Sequence, residues 1–75
     1  MQLYRNLSGE SGVVAYACAP GRIEVRFRGG QRYVYTDRSA GAAAVREMQR
    51  LAQAGRGLSG YIAANVRDGY AQGPL

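Results

Sequence analysis

Any chemistry in this chain falls to arginines, tyrosines and five scattered carboxylates, because the 75 residues include no histidine and one cysteine. A histidine-based acid–base pair or triad is therefore excluded. One thiol without histidine cannot build a zinc site, and no metal or cofactor is expected. Glu10, Glu24, Asp37, Glu47 and Asp68 are too dispersed to suggest two carboxylates sharing one site. Asp37 and Asp68 read as capping and turn residues. Neither Gly29-Gly30 nor Gly55-x-Gly57 matches a phosphate-cradling loop. The chain reads as non-catalytic.

The arginines are the remaining signal. All ten basic residues are arginine, and the formal net charge is +5 with a pI near 10.0. A GC-rich genome is the main explanation for the arginine bias. Its physical consequence holds either way, since guanidinium groups fork onto phosphates and stack on bases. A polyanion is the partner that such a charge balance fits.

The elements that must position these side chains centre on Arg22 to Thr36. Ile23, Val25 and Phe27 alternate with Glu24, Arg26 and Arg28, the period of a strand with one apolar and one charged face. Gly29-Gly30 breaks the pattern, and Tyr33-Val34-Tyr35 resumes it, so the stretch predicts a β-hairpin. Two registers are open. A two-residue Gly29-Gly30 loop puts Val25 opposite Val34 and exposes Tyr33 and Tyr35. A three-residue loop, Gly29 to Gln31, puts Phe27 opposite Tyr33 and Val25 opposite Tyr35. A one-residue slip exchanges the faces. The first register drives Arg32 toward the core, and an unpaired buried guanidinium costs several kcal/mol, which favours the second. Arg26, Arg28 and Arg32 then share the solvent face, a surface suited to a phosphate backbone. An ordinary solvated face has the same composition. Tyr33 and Tyr35 have two readings as well: a base-stacking platform, or core volume in a domain with few large apolar residues. The register favours core.

Elsewhere, Met1 to Gly12 reads as an extended, flexible leader, with no apolar run of signal-peptide length. Val13 to Ala19 predicts a strand, with Val14, Tyr16 and Cys18 on one face and Cys18 a small buried residue. Pro20-Gly21 supplies the turn into the hairpin. Asp37 or Ser39 is the candidate N-cap of a helix over 42–54, whose stripe is Ala44, Val45, Met48, Leu51 and Ala52. A shorter helix over 58–66 follows, with Arg67 and Tyr70 just beyond it as an exposed functional edge; 71–75 reads as a fraying tail. The expected architecture is α+β: a three-stranded antiparallel meander over 13–19, 22–28 and 31–36, followed by two helices packed on one face. No run reaches the roughly 20 apolar residues of a membrane helix, so a cytoplasmic protein is the default.

Over about Ser11 to Tyr70 the chain resembles the KTSC domain, a short bacterial module named for its occurrence at the C-terminus of some lysyl-tRNA synthetases. The resemblance is carried by Ala15-Tyr16, by Ile23-Glu24-Val25-Arg26-Phe27 before a glycine turn, and by the Tyr33-x-Tyr35 motif. Ser59-Gly60-Tyr61-Ile62 and Val66-Arg67 with Tyr70 resemble its closing segment. Ala17 departs from the frequent aspartate, and no proline precedes the long helix. The resemblance implies a KTSC-like domain over 13–70 and a link to RNA, without an established activity.

The sequence thus predicts a small module that binds RNA or another polyanion through Arg26, Arg28, Arg32, Arg67 and Tyr70. The alternative is a protein-interaction module with no nucleic-acid role.

Overall fold

A computed structural model describes residues 1–9 and 11–75. Glu10, assigned by the sequence to the leader, lies outside the described residues. Among the described residues the fold is α+β, with four antiparallel strands in one sheet: β1 (Gln2–Leu3), β2 (Val13–Ala19), β3 (Arg22–Phe27) and β4 (Arg32–Thr36), in that spatial order. Three helices follow: α1 (Asp37–Ala40), α2 (Ala42–Ala54) and α3 (Leu58–Tyr61), the last continuing into a π-helical turn, Ile62–Val66.

The expected three-stranded meander is corrected to four strands by the segment read as a leader. Gln2 and Leu3 pair with Tyr16 and Ala15. Tyr4 is buried, and its hydroxyl accepts the Leu58 N–H at 3.3 Å. Leu7 N–H donates to the Gly55 carbonyl at 2.7 Å, and the Arg5 guanidinium donates to the Gln53 carbonyl. Residues with weak periodicity are recruited because a chain this short removes only about 60% of its unfolded surface from water and needs every large ring it has.

The hairpin has the expected faces but a different pairing. Ile23 lies opposite Tyr35, Val25 opposite Tyr33, and Arg26 opposite Arg32. The three-residue loop is therefore Arg28-Gly29-Gly30, not Gly29 to Gln31. Such loops need a positive φ at the third position. Gly30 supplies it at +92°, where Gln31 would be strained, and Gly30 N–H closes onto the Phe27 carbonyl at 2.9 Å. The shift is two residues, so every side chain keeps its face.

In β2 the alternation fails at Val14, where a bulge lets Val13 pair with Phe27 while Ala15 pairs with Arg26. Val13 thereby joins Tyr16 on the inner face. Cys18, expected to be buried, is exposed at the strand's far end. Partial burial of the sulfur still pushes its thiol pKa up, against a lowering hydrogen bond from Gln53.

Neither Asp37 nor Ser39 caps the helix over 42–54: the N-cap of α2 is Gly41, without a side-chain cap, and Thr36 instead caps the short helix α1 that precedes it. The Thr36 hydroxyl accepts Ser39 N–H at 3.1 Å while the Ser39 hydroxyl accepts Thr36 N–H at 2.9 Å, a reciprocal capping box. Gly41 separates α1 from α2, and Gly55, at φ +79°, ends α2. Gln49, on α2, clamps the β2–β3 turn by donating to the Ala19 and Arg22 carbonyls at 2.9 and 2.8 Å.

The core lies between the inner sheet face and the helices. Ile23, Val25, Tyr35, Met48 and Leu58 are fully or almost fully enclosed. Phe27 and Leu51, expected in the core, are only partly buried against it. The tail, expected to fray, instead lies along the outer edge of β4. Val34 exchanges hydrogen bonds with Ala71 and Gln72, and Arg32 with Leu75. Among the described residues, no helix is long and apolar enough to cross a membrane.

Leu58 and Leu51 are the same residue type in different packing. Leu58→Ala should cost about 2–5 kcal/mol. Leu51→Ala should cost clearly less, read as urea midpoints at constant slope.

Candidate functional site

The seven candidate residues do not form one site. Strand alternation divides them. Arg26 and Arg32 point to the outer sheet face as direct cross-strand partners, and both are exposed. Arg28 sits in the hairpin loop, its guanidinium 3.4 Å from the Ser11 carbonyl. Tyr33 and Tyr35 project to the inner side, together with Arg67 and Tyr70.

On the outer face Glu24 is the only acidic partner among the described residues. Its carboxylate meets Arg32 at 3.0 Å and Arg22 at 3.8 Å. Both arginines are about half exposed, so these pairs contribute little to stability. Arg26 makes no ion pair among the described residues. Like charges set directly opposite on a sheet are destabilising. The face therefore carries Arg22, Arg26 and Arg32 against one carboxylate, with Arg28 adding a further cation at the adjoining tip. Away from the sheet, Arg50 holds the Glu47 carboxyl below its usual range through their hydrogen bonds.

The inner side holds an open cleft of about 610 Å³ between the hairpin and the segment from Ile62 to Tyr70. Phe27, Tyr33, Tyr35 and Tyr70 form its aromatic wall. Tyr33 and Tyr70 have ring centroids 4.9 Å apart and tilted by 56°; Phe27 meets Tyr33 edge-on at 5.6 Å. Tyr35 is the buried base of this wall, 2% exposed, whereas Tyr33 and Tyr70 are half-buried. Tyr35 is thus core, as its register predicts, while Tyr33 serves both core and cleft.

Arg67 reaches the cleft by an unusual backbone path. Its N–H donates to the Ile62 carbonyl at 2.8 Å, five residues back, which closes the π-helical turn. The chain then reverses at φ +24° and ψ −95°, a region costly to a residue with a side chain. Gly69 makes the reversal possible, since a Cβ there would stand 2.8 Å from the Val66 carbonyl oxygen. The Arg67 Nε donates to the Ala63 carbonyl at 3.0 Å, which holds the exposed side chain near the turn. Asp68 and Gln31 also line the cleft.

Sequence reasoning missed Gln31, Asp68 and Phe27 as cleft residues. Phe27 could have been found, because the inner face of the favoured register already joined it to Tyr33. Gln31 and Asp68 carried no comparable signal. Among the described residues no cluster of metal-binding side chains occurs. No protein-family model matches the chain, and no curated protein or solved structure matches it either.

Burial, and secondarily the neighbouring hydroxyls of Tyr33 and Tyr70, push the Tyr35 pKa up to about 12 from an ordinary 10.0. A folded-state pKa above the unfolded one means the unfolded chain loses this proton first as pH rises. The stability due to Tyr35 is complete below about pH 10 and is lost as pH rises toward about 12. The wild type should lose stability across that window with a Tyr35 contribution of up to about 1.4 kcal/mol per pH unit. Tyr35→Phe should remove that contribution, measured by urea unfolding at several alkaline pH values.

Proposed function

We propose that the protein is a small non-catalytic module that binds RNA, or a chemically similar polyanion, through arginine–phosphate contacts. The observation that carries this reading is the outer sheet face. Arg26 and Arg32 stand directly opposite one another, Arg22 lies nearby, and a single carboxylate, Glu24, is shared by two of them. A like-charged pair held at sheet spacing is relieved when a phosphate sits between its members. Arg28 extends the same surface to the hairpin tip. A KTSC-like domain and a cytoplasmic location are parts of the same proposal.

The alternative, a protein-interaction module without a nucleic-acid role, draws support from the N-terminal edge. There Leu3 is 79% exposed, and Met1 and Leu7 are also exposed. β1 and Tyr4 cover β2 only from Val14 to Tyr16, so its backbone from Ala17 onward is open to pairing.

Affinity for a single-stranded RNA should fall with salt at a log–log slope of about −0.7 per phosphate neutralised, near −2 for three arginines. Arg26→Ala, Arg28→Ala and Arg32→Ala should each weaken binding across sequences alike and reduce the slope. Arg46→Ala with Arg56→Ala, two exposed residues away from the sheet face, should have a smaller effect than Arg26→Ala with Arg32→Ala. Equal losses would mean that net charge alone attracts RNA, and the interaction-module reading would then lead.

A further inference from the structure

We propose that the inner cleft is a binding site for one unpaired nucleotide, with its base against Tyr33 and Tyr70 and its phosphate on the Arg67 guanidinium. This deepens the polyanion reading, and it rests on that reading for the strand that carries the nucleotide.

Three features of the cleft select this ligand class. The first is flat apolar surface. Tyr33 and Tyr70 meet at 56° rather than stacked flat, so neither ring covers the other completely, and both line the open cleft while partly buried. A flat third ring is the partner such walls accept, and base–aromatic stacking is how single strands are held. The second is a cation fixed at the cleft. Arg67 carries its strained backbone and its tether to Ala63 at the mouth of an aromatic pocket, where a plain surface arginine would be free to swing. A pre-positioned guanidinium beside aromatic walls fits a ring joined to an anion. The third is polar side chains for a base edge. Asp68 offers acceptors, and Gln31 offers both donors and an acceptor. The cleft volume, about 610 Å³, lies within the usual range of small-ligand pockets.

The site also adjoins the outer arginines. The Arg26–Arg32 pair is followed at once by Phe27 and Gln31, whose backbone bond of 2.9 Å closes the hairpin, and both of these line the cleft. A strand whose phosphates lie on Arg26, Arg32 and Arg28 can pass over the hairpin tip and turn one base into the cleft. A double helix cannot, because its bases are already paired.

The test uses the intact chain with three probes: adenosine monophosphate, a single-stranded oligoribonucleotide, and an abasic oligomer of the same length and charge. Amide resonances of Ala63, Arg67, Gly69 and Tyr70 report the cleft, and those of Glu24, Arg26 and Arg32 report the outer face. The oligoribonucleotide should shift both sets, and the abasic oligomer only the outer set. Tyr70→Leu should weaken oligoribonucleotide binding by about 5- to 150-fold, the usual worth of one stacked base. Arg67→Gln changes an exposed side chain in a folded protein and should weaken it by about 10-fold, comparable to one charge-assisted contact. Dispersed spectra of both variants establish that they fold. Cleft shifts of equal size with the abasic oligomer, or unchanged affinity in both variants, would overturn the nucleotide site and leave the outer-face reading standing. Cleft shifts with adenosine monophosphate but no binding of either oligomer would support the site for a free nucleotide and overturn the polyanion reading. Silence of the cleft resonances toward every probe overturns the proposal.

Discussion

The pairing of Ile23 with Tyr35 and of Val25 with Tyr33 is the constraint on which the rest of this structure depends. It places four large side chains under the helices and turns Glu24, Arg26 and Arg32 to the opposite face. Gly30 secures it, because its positive φ closes the three-residue loop at one position only. A slip by one residue would bury Arg32 and expose both tyrosines, and the core would lose its largest members. The basic outer surface and the aromatic cleft are therefore two results of one register.

A chain of this size has few ways to enclose a core. Tyrosines do much of the filling, which brings hydroxyls into buried ground and requires partners for them. The Tyr4 hydroxyl finds one in the Leu58 N–H, and this bond ties the N-terminal segment to the start of α3. Tyr35 lines the base of the open cleft, and its raised pKa is the electrostatic trace of its burial there. The two chain ends close opposite margins of the sheet, β1 along β2 and residues 71–75 along β4. Covering edges in this way limits unwanted strand pairing. The coverage is incomplete beside β2, where Cys18 stays exposed.

The segment from Ile62 to Tyr70 departs most from regular geometry. A widened helical turn, a non-glycine residue at positive φ and a glycine against a carbonyl follow one another within eight residues. Their combined effect is to bring Arg67, Asp68 and Tyr70 around to the inner face of the hairpin tip. Strain of this kind persists only where surrounding contacts hold it, and such places are frequently sites of function.

The sequence by itself determined the central elements, β3, β4 and α2, and their faces. Period-two alternation gave the β3–β4 hairpin its inside and outside, and Pro20-Gly21 gave the turn before it. The stripe through Val45, Met48 and Ala52 gave α2 with its observed bounds. These are local properties, set by side-chain spacing and turn chemistry within a few residues. Tertiary structure decided what depends on contacts between distant segments. Tyr4 and the tail carry no periodic signal, yet each joins the fold because a sheet edge or an unfilled core position was open to it. The bulge at Val14 reverses one end of a strand whose alternation looked regular. The division of Arg26, Arg28 and Arg32 from Arg67 and Tyr70 was likewise invisible in the chain, since it depends on the path taken after Val66. No local rule specifies that path: it is fixed by the backbone reversal at Arg67 and by the packing of Tyr70 against Tyr33.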